Sequence, residues 1–169
     1  VESGTYAATQ LAVVGLGSHG IALPPILNLG TPEQKQRFVV PTLRGEKVSA
    51  LAITEPGGGS DVAALRTSAR KDKGEYVVNG EKTFITSGMR ADYYTVAVRT
   101  GGPGAAGVSL LLIERDRPGF TRAELKKMGW WCSDTASLHF DQVRVPAANL
   151  IGEENAGFRA IMRNFNSER

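Results

Sequence analysis

The sequence predicts an α+β fold in which helical segments flank a central unit built from short strands. Residues 5–44 and 153–169 carry helical patterns, whereas residues 48–146 alternate short apolar runs with glycine-rich turns. Short strands separated by such turns are typical of an antiparallel barrel or sandwich. We therefore expect a helical N-terminal segment, a central antiparallel β-barrel domain and a further helical region after it.

Prolines divide the N-terminal helical region. The pair Pro24–Pro25 predicts a break, because proline removes a helical hydrogen bond and clashes with the preceding turn. The segment Thr31–Gln34 then predicts a new helix, with threonine as N-cap, proline in the first helical position and glutamine three residues after the cap. Pro41 is expected to limit or kink this helix.

Apolar runs in the central region predict seven strands. They are Val48–Thr54, Glu75–Val78, Glu81–Thr86, Tyr93–Arg99, Ser109–Glu114, Gly119–Lys126 and Ser137–Val145. An Asn-Gly pair between two apolar runs indicates a hairpin, because both residues tolerate positive φ, so we predict a tight hairpin at Asn79–Gly80. Gly101–Gly107 is predicted to be a surface loop.

The last predicted element is an amphipathic helix. Phe158, Ile161, Met162 and Phe165 recur at i, i+3, i+4 and i+7, which places them in one apolar stripe. The chain begins at Val1 rather than at methionine and stops at Arg169 within this helical pattern. We therefore expect it to be part of a longer protein.

Composition limits the classes of function. The formal charge of +3 is too small to indicate a nucleic-acid partner. Cys132 is the single cysteine, so no internal disulfide can form and a reducing compartment is expected. No apolar run reaches the roughly 18 residues that span a bilayer, and no signal peptide is visible. His19 and His139 lack metal-ligand neighbours, so no metal site is predicted.

One dinucleotide-binding motif is rejected on its context. Gly15–Gly20 matches G-x-G-x-x-G and follows an apolar run. Its glycines should open a helix that holds a pyrophosphate, yet Pro24–Pro25 falls where that helix would run. We interpret the stretch as the frayed, glycine-containing end of a helix over residues 5–17.

The most informative segment is Ala52–Asp61, where a strand runs into three glycines followed by a hydroxyl and a carboxylate. Without Cβ atoms, Gly57, Gly58 and Gly59 allow the backbone to lie against a planar or anionic ligand. Successive free N–H groups in such a turn can form an anion site. Basic residues follow this turn, and they are interpreted as a solvated strand face rather than as contacts for phosphates. They are Arg66, Arg70, Lys71 and Lys73.

The decapeptide Ala52–Asp61 resembles the signature of the acyl-CoA dehydrogenase family. That signature reads small, aliphatic, Ser or Thr, Glu, two free positions, small, Gly, Ser or Thr, Asp, and each constrained position is met. Other segments resemble family segments in the same order. They are Gly30–Lys35, Val78–Gly88, Leu125–Thr135 and Phe140–Gly152. Ordered matches over about residues 25–169 identify the sequence as a member of this family.

The resemblance implies a domain plan and a cofactor. Residues 1–47 would end an N-terminal helical domain, residues 48–150 would form the middle β-barrel domain that binds flavin and acyl-CoA, and residues 151–169 would start a C-terminal helical bundle. The implied cofactor is FAD, bound between the β domain and the C-terminal helices and across a subunit contact. Family members are usually homotetramers and sometimes dimers. The chain alone is expected to bind FAD weakly or not at all.

The resemblance also implies cofactor-binding residues. They are Leu51, Ala52, Ile53, Thr54, Gly59, Ser60, Phe84, Ile85 and Thr86. Thr54 would bond the pyrimidine edge of the flavin, and Ser60 would lie near both the pyrophosphate and the acyl-CoA substrate. Phe84–Thr86 matches a Trp-Ile-Thr segment of the family, in which the aromatic ring packs on the isoalloxazine and the threonine bonds near N5. Phe84 lacks the indole N–H of the usual tryptophan but keeps a flat apolar face. Because of that face, we expect flavin binding to survive.

The implied reaction converts an acyl-CoA thioester to the 2,3-enoyl-CoA, as a carboxylate removes the α-proton and hydride passes from the β-carbon to flavin N5. Isovaleryl and long-chain members carry the base in a Glu-Arg pair on the first long C-terminal helix, which Glu168–Arg169 matches. Glu168 also extends the apolar stripe, where partial desolvation suits a general base. In many other members the base lies farther along the chain, and Glu168 would then be a solvated helix residue.

Several alternatives remain open at this point. The implied electron acceptor is an electron-transfer flavoprotein, but an acyl-CoA oxidase or a flavin monooxygenase relative of the same fold would use dioxygen. If the natural protein is this short, the sequence is interpreted as a non-catalytic binding module. The expected setting is fatty acid metabolism, in the cytoplasm or, in a eukaryote, the mitochondrial matrix. The acyl chain is unspecified, because most of the pocket floor is expected to come from helices outside this sequence.

Overall fold

A computed structural model describes the backbone of residues 20–168 and the side chains of residues 20–165. The predicted helix over residues 5–17, His19 and most of the Gly15–Gly20 stretch lie outside the described residues. Helix α1 spans Pro24–Leu29 and begins at the predicted proline break. Helix α2 spans Pro32–Gln34, continues as a π turn over Lys35–Val39, and leads into α3 over Val40–Leu43.

The predicted capping box at the start of α2 is confirmed. The Thr31 hydroxyl accepts a hydrogen bond from the Gln34 backbone N–H at 3.2 Å, and the Gln34 side chain accepts one from the Thr31 N–H at 3.1 Å. The helical path does not end at Pro41. Instead, the wider π turn precedes this proline, which has no N–H to donate to the turn before it.

Seven strands follow, and helix α4 closes the described part of the chain. The strands are β1 Ser49–Ala52, β2 Ser68–Asp72, β3 Glu75–Thr86, β4 Tyr93–Arg99, β5 Val108–Glu114, β6 Phe120–Glu124 and β7 Thr135–Pro146. Helix α4 spans Gly157–Glu168. Short 3-10 turns lie at Val62–Ala64, Ala105–Gly107 and Ala147–Asn149. The turn at Ala105–Gly107 belongs to the predicted loop over residues 101–107.

The seven strands form one curled sheet with the order β1-β4-β2-β3-β7-β6, and β5 pairs with the other edge of β4. The predicted α+β class is confirmed, with one refinement of the sheet. Strands β1 and β4 run parallel, as do the single paired residues of β2 and β4, while the remaining pairs are antiparallel. The sheet is therefore mixed rather than wholly antiparallel.

In β1, β4 and β5, alternate residues contribute to two apolar clusters on opposite faces of the sheet. In β5, Leu111 and Ile113 belong to the cluster enclosed by the curl, whereas Leu110 and Leu112 pack with the helices. This is the period of two expected for a strand buried on both faces. The helical side of the second cluster includes Ile26, Phe38 and Ile161.

The amphipathic stripe predicted for the last helix is confirmed. Ile161 of α4 is buried in the second cluster, and Phe158, Met162 and Phe165 pack against that cluster while remaining partly exposed. Within the described part of the chain, no helix combines the length and the apolar character needed to cross a membrane.

The hairpin predicted at Asn79–Gly80 is wrong. The two runs on either side, Glu75–Val78 and Glu81–Thr86, form one continuous strand, β3, and both pair with β7. The pairing shifts between Val78 and Gly80, since Val78 faces Val143 and Gly80 faces Phe140, which leaves one extra residue in β7. The Asn-Gly pair therefore accommodates a β-bulge, another structure that favours positive φ.

Candidate functional site

A cleft of about 480 Å³ lies between the end of β1, the last residues of β3, the loop that joins β6 to β7, and helical residues from the N-terminal segment and from α4. Its volume is in the range of small-molecule sites. Its lining includes Leu51, Ile53, Thr54, Phe84, Ile85, Thr86, Lys127, Trp130 and Phe165. The exposed lining is mostly apolar, with Thr54 just after β1 and Thr86 at the end of β3.

The first wall consists of residues of β1 and the two residues that follow it. Leu51, Ile53 and Thr54 line the cleft, whereas Ala52 is fully buried in the cluster enclosed by the sheet. Beyond β1, the carbonyl of Thr54 accepts a hydrogen bond from the Thr83 N–H at 2.9 Å, which ties this wall to β3. Of the residues predicted to bind the cofactor here, Leu51, Ile53 and Thr54 therefore line the cleft directly, whereas Ala52 can reach a ligand only through its backbone.

The glycine turn folds back on the first wall. Glu55 and Gly58 exchange backbone hydrogen bonds of 3.1 and 3.0 Å, which closes a tight turn. Gly59 then passes so near Thr54 that a Cβ on Gly59 would lie 2.9 Å from Thr54 Cγ2. Ser60 is exposed and is not part of the cleft lining. Of the predicted residues in this turn, Gly59 therefore acts on the cleft through Thr54, and Ser60 stands outside it.

The second wall contains a bulge that presents an aromatic ring. Lys82 pairs with Leu138 and Ile85 with Ala136, so Thr83 and Phe84 together face one residue of β7. Phe84 has a φ of +58°, which is strained for a bulky residue, and its side chain is 70% exposed at the cleft. A bulge redirects a side chain out of the regular alternation. Here it places the phenyl ring at the cleft, between the apolar interior and solvent.

The third side of the cleft is the loop between β6 and β7. The Lys127 ammonium donates hydrogen bonds to the carbonyls of Trp130, at 3.0 Å, and of Ser133, so it holds the loop in shape. Asp134 accepts a hydrogen bond from the Met89 N–H at 2.7 Å and pairs with Arg90 at 2.6 Å, which fastens the loop to the end of β3.

Trp130 stands on this loop at a φ of +56°, with its side chain 54% exposed at the cleft. Sequence reasoning noted the segment Leu125–Thr135 but assigned no role to Lys127 or Trp130. The aromatic pair Trp130–Trp131, which follows a glycine, was the available signal.

A buried ion pair lies behind the two walls. Lys82 is fully buried, and its ammonium donates hydrogen bonds to Glu55 Oε1 at 2.8 Å and to the carbonyl of Ile53 at 3.0 Å. Glu55 also accepts hydrogen bonds from the N–H groups of Arg66, at 2.6 Å, and Thr67, at 2.9 Å.

Burial lowers the pKa of Lys82 to about 8, because the loss of water outweighs the stabilising charge of Glu55. Burial by itself would raise the pKa of Glu55, but Lys82 and the two N–H groups together hold that pKa below its usual value. Both groups are therefore charged at neutral pH.

The basic residues after the glycine turn face solvent. Lys71 pairs with Glu154 at 2.7 Å, and none of the four described side chains Arg66, Arg70, Lys71 and Lys73 lines the cleft. Their interpretation as a solvated strand face is the one that the structure supports.

Helix α4 brings its apolar stripe to the cleft. Phe165 lines it, and Glu168 follows three residues later at the end of the helix. The side chain of Glu168 lies outside the described residues, so its role as a base stays a prediction.

Comparisons with known proteins agree with this architecture. The family model described as acyl-CoA dehydrogenase, middle domain, matches residues 50–143. Acyl-CoA dehydrogenase apdG of Emericella nidulans is 48% identical over 86% of this chain. A crystal structure of a probable acyl-CoA dehydrogenase from Mycobacterium abscessus superposes with a TM-score of 0.89 and 53% identity over 96% of this chain. An acyl-CoA dehydrogenase structure from Geobacillus kaustophilus gives a TM-score of 0.88 and 48% identity over 92%.

The fold and the cleft thus define a domain of the kind found in a family of oxidoreductases. The chain belongs to the acyl-CoA dehydrogenase family. It spans about a third of the length of the Emericella relative, 34%, and 46% and 42% of the two crystallised chains.

Proposed function

We propose that this chain serves the FAD-dependent dehydrogenation of an acyl-CoA thioester to the 2,3-enoyl-CoA. The observation that carries this proposal is the cleft itself, in a chain of this family. Thr54 from the first wall and Phe84 and Thr86 from the second converge on one apolar cleft, although they are some 30 positions apart in the sequence.

The residues present fit a flavin ring. An isoalloxazine has flat apolar faces and polar atoms along its edges, and the cleft offers apolar side chains together with two threonine hydroxyls. FAD, when bound, supplies the acceptance of hydride from the substrate. In this proposal Thr54 and Thr86 bind the polar edges of the ring, and Phe84 covers it and excludes water.

The remaining predicted residues take indirect or peripheral parts in the proposal. Leu51, Ile53 and Ile85 form the apolar wall, and Gly59 sets the position of Thr54. Ala52 supports the wall from the core. Ser60, exposed beyond the glycine turn, is available to the more distant pyrophosphate and to acyl-CoA.

The wider setting is proposed from the family. Residues 1–47, 48–150 and 151–169 would belong to the N-terminal helical, middle β and C-terminal helical domains. The protein would be a homotetramer or a dimer in fatty acid metabolism, in the cytoplasm or the mitochondrial matrix. An electron-transfer flavoprotein would accept the electrons.

The acyl group is proposed to be selected outside this chain. Relatives of nearly equal identity are named for different substrates: cyclohexane-1-carbonyl-CoA dehydrogenase of Geobacter metallireducens at 42%, and the bovine isobutyryl-CoA and rat long-chain enzymes at 41%. Since the identity to this chain does not follow the named substrate, we infer that the segment forms the shared flavin side of the site.

Glu168 is proposed as the base that removes the α-proton. The experiment follows the flavin absorbance of the full-length protein while acyl-CoA thioesters of different length and branching are added without oxygen. Bleaching by one thioester is expected. Glu168→Gln should keep the flavin bands but slow bleaching by about 10²–10⁴-fold, the usual size of general base catalysis.

Glu153→Gln, an exposed acid before α4, is the matched control and should bleach normally. Normal bleaching by Glu168→Gln would place the base elsewhere in the protein. If the protein shows no flavin bands even after FAD is added, the dehydrogenase proposal fails and a binding module becomes the better reading.

A second candidate is an oxidase. A crystal structure of the prolyl acyl carrier protein oxidase AnaB is 31% identical to this chain, with a TM-score of 0.87. Admitting oxygen to the bleached protein separates the two candidates. Rapid return of the flavin bands would favour an oxidase or a monooxygenase, and slow return would favour an electron-transfer flavoprotein as acceptor.

A further inference from the structure

The buried pair Lys82–Glu55 lies where both walls of the cleft are anchored. The Lys82 ammonium donates to the carbonyl of Ile53, which lines the first wall. Lys82 itself belongs to β3, two residues before Phe84 of the second wall. A single ammonium therefore connects the two elements whose separation defines the cleft.

The same pair closes the base of the glycine turn. Glu55 precedes that turn, and its two carboxylate oxygens accept hydrogen bonds from the N–H groups of Arg66 and Thr67, which follow it. The Thr83 N–H, next to Lys82, binds the Thr54 carbonyl. Thr54 is thus held through its own carbonyl and through its two neighbours in the sequence, Ile53 and Glu55, which both bind Lys82.

Stability alone does not require charge at this position. Replacing a buried ion pair by apolar residues of similar volume is often neutral or stabilising, whereas removing one partner leaves a buried charge without compensation. What an apolar pair cannot reproduce is the set of directed hydrogen bonds to Ile53, Arg66 and Thr67.

We propose that Lys82 and Glu55 are positioning residues, which hold the walls of the cleft at the separation and register that a flavin ring requires. This inference rests on the proposed flavin function. Neither side chain lines the cleft, so both act on the ring through Ile53, Thr54 and Phe84.

The test uses the full-length protein with the single substitutions Lys82→Met and Glu55→Gln and with both together as a double variant. Three quantities are measured for each: the dissociation constant for FAD, the circular dichroism of the visible flavin bands, and the urea midpoint of unfolding. Arg144→Met is the matched control, because Arg144 pairs with Asp72 and Glu75 at the exposed side of the sheet.

Lys82→Met is expected to lower the urea midpoint strongly, and the double variant to recover much of that loss. If the pair positions the walls, the double variant still binds FAD at least tenfold more weakly than wild type and shows altered flavin dichroism. Glu55→Gln alone, which keeps a neutral acceptor for the two N–H groups, should show a smaller change of the same kind. Arg144→Met should leave FAD binding unchanged.

A double variant, or Glu55→Gln if the double does not fold, that binds FAD with the wild-type constant and dichroism would overturn the positioning role. It would leave the flavin function intact. A full-length wild-type protein that binds no FAD would overturn the flavin function, and this inference with it.

Discussion

Gly59 packs closely against Thr54, which lines the cleft. Gly59 is exposed, so its lack of a side chain is not required by burial. It is required by Thr54, whose Cγ2 lies 2.9 Å from the point where a Cβ of residue 59 would stand. A side chain at this position must therefore push the threonine away from its place in the cleft wall.

Gly59→Ala is expected to weaken FAD binding with little change in stability. Displacing Thr54 removes one hydrogen bond to the ring, so the dissociation constant should rise about tenfold, or ~1.4 kcal/mol. Titration of the flavin-free protein with FAD measures the constant. Gly57→Ala is the control, because no atom lies within 4 Å of a Cβ at Gly57. Equal constants for the two variants would contradict the contact.

At this scale the sequence indicated the residues that touch the cleft better than those that support it. The family motif pointed to Thr54, Phe84 and Thr86, which the structure brings to one cleft, although their roles stay predictions. Lys82 escaped notice, because a lysine in a strand normally indicates solvent. Its partner Glu55 lies 27 residues away, and no local pattern shows such a pairing.

At the scale of elements, strand β3 is shaped by two bulges rather than by a hairpin. Positive φ occurs at Gly80 as well as at Lys73 and Gly74 of the true turn, so a preference for positive φ does not by itself locate the hairpin. The partner strand decides the outcome. Strand β7 offers Glu75–Thr86 a continuous edge, and the antiparallel hairpin forms instead between β2 and β3, with Asp72 facing Glu75.

Gly80→Ala is expected to destabilise the protein by about 3 kcal/mol, the upper end of ordinary point mutations. Gly80 has a φ of +138°, and a Cβ there would lie 2.7 Å from Thr67 Cα, a backbone atom that cannot rotate aside. Gly74→Ala, at a φ of +85° with open space around it, should lose only about 1 kcal/mol from backbone strain. Urea unfolding of both variants measures the difference, and equal losses would show that strain rather than the contact governs Gly80.

At the scale of the whole molecule, the fold class followed from the sequence but the strand order did not. The succession of helices, strands and helix is local information. The parallel pairing of β1 with β4 joins Ser49 to Tyr93, and it depends on how the sheet closes around its core. The cleft lies beside β1, where the Thr54 carbonyl accepts a hydrogen bond from the Thr83 N–H of β3.

The charge of Lys82 is expected to make the stability of the whole molecule depend on pH. The pKa of Lys82 is about 8 in the folded protein against 10.5 for an ordinary lysine, because burial disfavours the charge. Between these values the unfolded chain binds a proton that the folded protein does not, so the free energy of unfolding should rise with pH. Glu55 is the ionisable group in contact with Lys82 among the described residues.

Unfolding by urea at pH 7.5, 8.5 and 9.5 tests this dependence, with Lys82→Met as the comparison. The series stops below pH 10, because burial raises the pKa values of Tyr76, Tyr93 and Tyr94 in the folded protein, and ionisation of these tyrosines in the unfolded chain would then reverse the slope. Wild type should gain stability relative to Lys82→Met across the series. A constant difference between the two proteins would show that Lys82 keeps its proton throughout, and that Glu55 stabilises the buried ammonium more strongly than its burial opposes it.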